Sequence, residues 1–233
     1  DYDFIFQLAA IVGVSNVIKR PNFVLSKNVQ IQINSIKIAI NQKKLKKFFF
    51  FSTSEVYAGS ISNLKFKFPT PENVDLTLTD LKNPRTTYLL SKIYGEAITI
   101  HSNIPYIILR PHNIYGPRMG FLHVIPELIY KFKKLKLNSS YKLDSHNHSR
   151  SFCYVDDAVY QIYKLILSNK KNLTINIGND EREIKILDLA NILKKIIKRN
   201  DIKKLNKKNS NHSSPQRRIP DIKKIINISK SRN

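Results

Sequence analysis

Tyr88-Leu-Leu-Ser-Lys92 places a phenol and an ammonium four residues apart. On a helix that spacing puts both side chains on one face, one turn from each other. A phenol ordinarily titrates near pH ~10. A positive charge held close stabilises the phenolate and lowers that pKa, so the pair can serve as a base near neutrality. Asn83-Pro84 supplies the helix start, because asparagine caps well and proline is tolerated in the first turn. Tyr-x-x-x-Lys is a common spacing and takes its meaning from its company. That company is Ser52-Thr53-Ser54-Glu55, a hydroxyl-rich string closing the apolar run Phe48 to Phe51. Open α/β sheets bind their ligands beyond the carboxyl ends of such strands.

The elements that must position these groups alternate. Residues 3–10 read as a strand, and 22–46 as a long helix with apolar positions at Val29, Ile33, Ile36 and Ile40. Residues 47–53 read as a buried strand. A polar, proline-bearing loop from Gly59 to Pro84 is longer than a simple connection. Residues 85–101 form the Tyr-Lys helix and 106–110 a further strand. This alternation predicts an α/β fold with a parallel sheet covered on both faces. Beyond Gly116 the elements shorten: a helix near 126–134, a loop through Ser149, a strand at 151–155 and a helix at 156–168. A strand at 173–177 and a helix at 186–199 follow. From Asp201 to Arg217 the chain is polar and carries no core pattern.

The 233 residues suffice for one large or two small domains, and 42% hydrophobic content suffices for a core. Lys+Arg minus Asp+Glu is 40 − 17 = +23. Such a charge points either to an anionic partner or to a compositional bias toward lysine, asparagine and isoleucine. The runs Lys43–Lys47 and 192–208 fit solvated helix faces, with apolar residues at helical spacing. No aromatic platform or nucleic-acid motif accompanies them, so specific nucleic-acid binding is not expected. Cys153 is the only cysteine, which excludes an intrachain disulfide and fits a reducing cytoplasm. Its flanks, Phe152 and Tyr154, suggest a buried, inert thiol. No run of ~20 apolar residues predicts a membrane span. His123, His146 and His148 lack a convincing ligand set, so no metal is expected.

Several strings, in order, resemble one family. Asp3-Phe-Ile-Phe-Gln-Leu8-Ala9-Ala10 and Asn28 come first. Ser52 to Tyr57, Tyr88 and Lys92, and Arg110-Pro-His-Asn113-Ile-Tyr-Gly116-Pro-Arg118 follow. Arg150-Ser-Phe-Cys-Tyr-Val-Asp156-Asp157, Asn176-Ile-Gly178-Asn and Arg217-Arg218-Ile-Pro220-Asp221 complete the set. Together they resemble the extended short-chain dehydrogenase/reductases, the NAD-dependent epimerases, dehydratases and decarboxylases of nucleotide sugars. The resemblance implies an NAD-binding Rossmann-like, doubly wound parallel sheet with a small C-terminal substrate-binding part. It divides the chain into 1–116, a partial NAD-binding domain, and 117–233, mostly substrate-binding with elements returning to the core. It implies NAD contacts from Leu8, Ala9, Ala10, Asn28, Ser52, Tyr88 and Lys92. Thr53, Glu55, Tyr88 and Lys92 become the catalytic set, and Ser54, Asn113, Arg150 and Arg218 contact the nucleotide sugar. A homodimer is implied for the full-length protein.

One feature of the family is missing. Its opening Gly-x-x-Gly-x-x-Gly turn sets backbone N–H groups against the cofactor pyrophosphate. Here Gly13 is the only glycine before Gly59, and it lies beyond the fourth-strand match. The sequence therefore reads as N-terminally truncated, without its first strands.

Within the family, 4,6-dehydratases follow the threonine with an Asp-Glu pair. Ser54-Glu55 at those positions argues against dehydration. The Thr-Ser-Glu-Val-Tyr string and the segment 214–221 resemble UDP-glucuronate decarboxylases, whose 4-keto intermediate is a β-keto acid that loses CO₂. A glutamate beside a substrate carboxylate would carry a raised pKa. His112-Asn113-Ile-Tyr-Gly fits 4-epimerases equally well, and some of those also carry Ser-Glu here. A catalytically inactive fragment acting as a binding module is the remaining alternative.

Overall fold

Four consecutive phenylalanines require burial on both faces of a strand, which a parallel sheet with helices on each side provides. A computed structural model describes residues 1–63, 68–143, 145–206 and 215–230. The chain runs from β1 (Phe4–Gln7) through α1 (Val14–Lys19) and α2 (Pro21–Ile40) to β2 (Lys47–Phe51). A 3₁₀ turn (Ser54–Tyr57), α3 (Ala58–Asn63), α4 (Arg85–Ile100), β3 (Tyr106–Pro111) and β4 (Ile114–Tyr115) follow. Next come α5 (Val124–Lys134), β5 (Ser140–Leu143), β6 (Ser149–Ser151), β7 (Cys153–Tyr154) and α6 (Val155–Leu167). The last elements are β8 (Leu173–Ile177), β9 (Glu183–Lys185), α7 (Ile186–Ile196), β10 (Lys203–Asn206), β11 (Arg217–Arg218) and α8 (Lys223–Lys230).

The main sheet has the order β1-β2-β3-β8, with all neighbours parallel. Alternate side chains serve opposite faces. Phe48, Phe50 and Ile108 pack with Ile36 and Ala39 of α2. Phe49, Ile107, Leu109 and Ile175 pack with Leu165 of α6 and Ile225 of α8. The sheet is thus doubly wound. A second core joins Leu128 and Phe132 of α5, Tyr141 and Leu143 of β5, and Leu189 and Leu193 of α7. The elements α6, β8 and α8 follow Gly116 in sequence yet pack with the main sheet.

Differences from the sequence reading have local causes. The first strand stops at Gln7 rather than 10, because Asn28 captures the backbone beyond it. The Ile11 N–H donates to Asn28 Oδ1 at 2.7 Å, and Asn28 Nδ2 donates to the Ile11 carbonyl at 3.1 Å. Helix α2 ends at Ile40 rather than 46. Leu45 packs against the core, and the Lys46 N–H donates to the Asp3 carbonyl at 2.7 Å, so the chain has already turned toward β2. The expected loop before Ser149 contains β5, and the polar tail contains β10; the two pair in parallel, Lys203 with Ser140. That pairing joins segments distant in sequence, which local periodicity does not report. The rest of the polar tail, 207–214, lies outside the described residues. The loop after Gly59 begins within α3, and its residues 64–67 also lie outside them.

At the carboxyl ends of β2, β3 and β8 a buried polar network replaces apolar packing. Arg110 makes two bonds to Glu96, Nε to Oε1 at 2.9 Å and Nη2 to Oε2 at 2.6 Å. Ser52 Oγ donates to Glu96 Oε1 at 2.5 Å. Arg110 Nη1 donates to Tyr57 Oη at 2.8 Å, and Tyr57 donates to Asn176 Oδ1 at 2.9 Å. His112 Nε2 lies 3.3 Å from the same oxygen. Burial pushes the His112 pKa down to about 3, against the Asn176 bond, with Arg218 and Arg110 adding to the fall. An unfolded histidine titrates near ~6.5, so between those values the unfolded chain binds a proton that the folded one refuses. Stability therefore falls as pH drops through that window. Melting curves from pH 7 to 4 are expected to show a smaller loss of Tm in His112→Asn than in the wild type. Equal losses would contradict the assignment.

Candidate active site

Thr53 is the residue at which β2 leaves the sheet. Its backbone is extended, and its side-chain oxygen accepts the Glu55 N–H at 3.2 Å, capping the 3₁₀ turn. The turn buries Ser54 and Tyr57 and delivers Glu55 to a cleft of about 320 Å³. Helix α4 starts where Asn83 Oδ1 accepts the Arg85 N–H at 3.0 Å. It brings Arg85 and Tyr88, one turn apart, into the same cleft. Val12, Gly13 and Val14 form part of the wall. Gly13 has φ +97°, a conformation that a side chain would strain.

The Tyr88 phenol lines the same cleft as the Thr53 hydroxyl. Its pKa is pushed up to about 12, by burial first and by the Glu55 charge second, against a smaller lowering by Thr53. This reverses the lowering expected from Lys92. The reason is where the ammonium goes: Lys92 Nζ donates to the Phe51 carbonyl at 2.7 Å and lies 5.1 Å from the Phe50 ring centre. Burial pushes Lys92 down to about 8, against the pull of Glu96.

With no substrate carboxylate beside it, Glu55 is shifted the other way from Tyr88. Burial alone would raise it, but Arg218, Arg85 and Arg150 together hold it below the usual carboxylate range. Arg218 forks the carboxylate, Nη1 to Oε1 at 2.7 Å and Nη2 to Oε2 at 3.0 Å. Arg85 Nη2 reaches Oε1 at 3.4 Å. Arg150 donates to the carbonyls of Ser149 at 2.7 Å, Pro215 at 2.8 Å and Gln216 at 3.0 Å. Burial and Arg218 push its pKa down to about 9, against Glu55.

The structure thus brings Thr53, Glu55 and Tyr88 into one cleft, with Lys92 and Arg218 bonded to its framework. Other residues singled out in the sequence hold structure around it. Asn28 fixes Ile11, Ser52 joins Glu96, and Asn113 Nδ2 donates to the Ser151 carbonyl at 2.9 Å. Leu8 and Ala9 are exposed and Ala10 is half-buried. Arg85 escaped the sequence reading. Its position one turn ahead of Tyr88 on the same helix face was the available signal.

The profile of the NAD dependent epimerase/dehydratase family matches residues 1–178. A putative GDP-L-fucose synthase 2 of Oryza sativa is 26% identical over 204 residues, covering 83% of this chain and 57% of its own length. UDP-N-acetyl-alpha-D-glucosaminuronate decarboxylase of Bacillus cytotoxicus is 30% identical over 188 residues, covering 78% and 56%. The structure of UDP-glucuronic acid 4-epimerase from Bacillus cereus, in complex with UDP-glucuronic acid and NAD, superposes with TM-score 0.80 at 26% identity. That superposition covers 99% of this chain and 70% of the other. The chain spans about half the length of these curated relatives.

Proposed function

The chain belongs to the NAD dependent epimerase/dehydratase family, and from that premise we propose that it serves NAD-dependent modification of a nucleotide-activated sugar through a 4-keto intermediate, in the manner of a UDP-glucuronate decarboxylase. The observation that carries this reading is the meeting of two distant strings. Thr53-Ser54-Glu55 and Arg217-Arg218-Ile-Pro-Asp221, which both resemble decarboxylases, join through the two-bond pair of Arg218 and Glu55. Ser54 is buried where a dehydratase would present an acid, which supports the same choice.

The residues fit the nicotinamide-ribose end of NAD. Lys92 supplies a buried ammonium, Tyr88 and Thr53 supply hydroxyls, and Val12 and Val17 supply an apolar wall. NAD⁺, held there, would supply the hydride acceptor for the sugar carbon and the hydride for the later reduction. Tyr88 takes the proton of the hydroxyl on that carbon and gives it back to the keto oxygen. With a pKa of about 12 its phenol is protonated at neutral pH, so the base form needs cationic help. Lys92, still largely charged at pH 7, gives that help once its ammonium turns from the Phe51 carbonyl toward the phenol. Thr53 lines the cleft beside Tyr88, where its hydroxyl can bond the same sugar oxygen. Glu55, held ionised, holds the Arg218 guanidinium beside the cleft through two bonds.

A 4-epimerase is the second reading, favoured by the UDP-glucuronic acid 4-epimerase likeness. We assign a cytoplasmic setting on the single buried thiol. Among the described residues no helix is long and apolar enough to cross a membrane. Exposed Phe23 and Ile38 on α2, with Tyr94 and Ile100 on α4, support self-association through that helix pair.

These 233 residues alone are expected to bind NAD⁺ only weakly, because among the described residues no glycine-rich strand-to-helix turn offers backbone donors to a pyrophosphate. Calorimetry giving a micromolar Kd would contradict this. With a glycine-rich βαβ half supplied ahead of β1, Glu55→Gln is expected to lower CO₂ release from UDP-glucuronate sharply. Unchanged release would remove Glu55 from the reading.

A further inference from the structure

The lobe built on α5, β5, α7 and β10 carries positive charge that the cleft does not use. Its two helices end side by side. Arg199, just past α7, donates to the carbonyls of Phe132 at 2.6 Å, Leu135 at 2.8 Å and Lys136 at 3.0 Å, and so ties the end of α5 to the end of α7. The Asn138 N–H donates to Asp201 Oδ2 at 3.0 Å across the same junction. Lys133, Lys134, Lys136, Lys195 and Lys198 are all exposed around it, Lys134 lying 4.5 Å from the Tyr130 ring centre. The acid of the junction, Asp201, is bonded by Arg199 at 2.9 and 3.1 Å. Over residues 133–138 and 195–201 the formal charge is 6 − 1 = +5.

Helix electrostatics accounts for only part of this. A helix C-terminus carries about half a unit of negative charge, so two of them offset about one of these positive charges. The acids Glu127 and Asp188 stand in the first turns, at the other ends of α5 and α7. Two apolar side chains also stand in water among the lysines. Leu137 is 77% exposed, more than any other large apolar side chain among the described residues, and Ile196 is 68% exposed. Leu137 follows Lys136, whose carbonyl Arg199 holds, and Ile196 closes α7 just ahead of Arg199. Both therefore belong to the joined turns.

We propose that this end of the lobe docks on an anionic lipid surface, with Leu137 and Ile196 entering the headgroup layer and the five lysines meeting lipid phosphates around them. Apolar tips inside a cationic ring fit that partner. A nucleic acid would pair with the lysines and leave the tips in water. Lysines suit the rim, because their alkyl stems lie along apolar surface while the ammonium stays at the interface. Each lysine near an anionic leaflet adds about fivefold in partition. That attraction fades within a Debye length of about 8 Å, so it holds this end of the protein and not the far side. The contact is peripheral and needs no spanning helix.

The test is co-sedimentation of the 233-residue chain with vesicles at physiological salt, of phosphatidylcholine alone and of an equal mixture with phosphatidylglycerol. Duplex DNA is titrated in parallel, and circular dichroism checks that each variant is folded. The wild type is expected to bind the anionic vesicles and not the neutral ones. The triple variant Lys133→Gln, Lys136→Gln, Lys195→Gln should bind them about 100-fold more weakly, at about fivefold per lysine. A matched triple, Lys43→Gln, Lys44→Gln, Lys171→Gln, removes the same charge from exposed positions ahead of β2 and β8. It should stay within about 3-fold of the wild type. Leu137→Ser with Ile196→Ser should weaken anionic-vesicle binding at least about 10-fold and leave DNA titration unchanged. Equal losses in the two triple variants would make the charge a property of the whole surface and overturn the proposal. Full binding without the two apolar tips, or equal binding of neutral vesicles, would overturn it as well. A wild type that binds DNA and refuses anionic vesicles would assign the surface to nucleic acid instead.

Discussion

Tyr88→Phe is expected to lower turnover of the nucleotide sugar by ~10²–10⁴-fold, the cost of losing a positioned general acid–base, with substrate affinity nearly unchanged. The measurement is steady-state turnover together with the Kd for UDP-glucuronate, in protein carrying a glycine-rich βαβ half ahead of β1. The two quantities separate because the phenol lines the reacting end of the cleft with Thr53, whereas the cationic groups cluster on Glu55. Rate should be lost while binding is kept. The pH profile should change as well. Lys92, at about 8, loses its charge as pH rises through that value, and with it the help it gives the phenolate. A wild-type activity that rises with pH and then flattens without a fall near 8 would assign the cation to another group. Full activity in Tyr88→Phe would defeat the decarboxylase and epimerase readings together.

Arg110→Met is expected to have the largest effect on stability. The Arg110–Glu96 pair is buried, with both side chains 6% exposed. Removing the guanidinium leaves Glu96 as an uncompensated buried charge, at a cost of ~3–5 kcal/mol. For a chain of this size that corresponds to a Tm lower by roughly 6–20 °C. The Tyr57 hydroxyl and the Glu72 carbonyl, at 2.8 and 3.0 Å from Arg110 Nη1, lose their donor as well. The double variant Glu96→Gln, Arg110→Met should recover part of the loss, because no charge is then stranded. Differential scanning calorimetry on the three variants checks the order. A single variant as stable as the wild type would show that water reaches the pair.

Much of this framework was legible in the sequence. The strand–helix alternation gave the parallel sheet, and the strand expected at 173–177 is β8. The Tyr-Lys helix begins at Arg85, where Asn83-Pro84 placed it. Motif spacing also brought Thr53, Glu55 and Tyr88 together, because two strand and helix ends converge at one edge of the sheet. Charge was less legible. Tyr-x-x-x-Lys spacing fixes a shared face but says nothing of where a flexible lysine points, and Lys92 turns to the Phe51 carbonyl. A motif naming Glu55 cannot report that Arg218, distant in sequence, will neutralise it, nor that Arg85 stands beside it. The pairing of β5 with β10 stayed hidden for the same reason: it is a long-range contact between short, lysine-rich segments.

The most direct test of the central claim is product analysis. Protein with the glycine-rich half supplied ahead of β1 is incubated with NAD⁺ and UDP-glucuronate, and CO₂ and the sugar nucleotides are measured together. The decarboxylase reading predicts CO₂ released in proportion to a UDP-pentose formed. Conversion to a C4 epimer with no CO₂ would contradict it and select the epimerase.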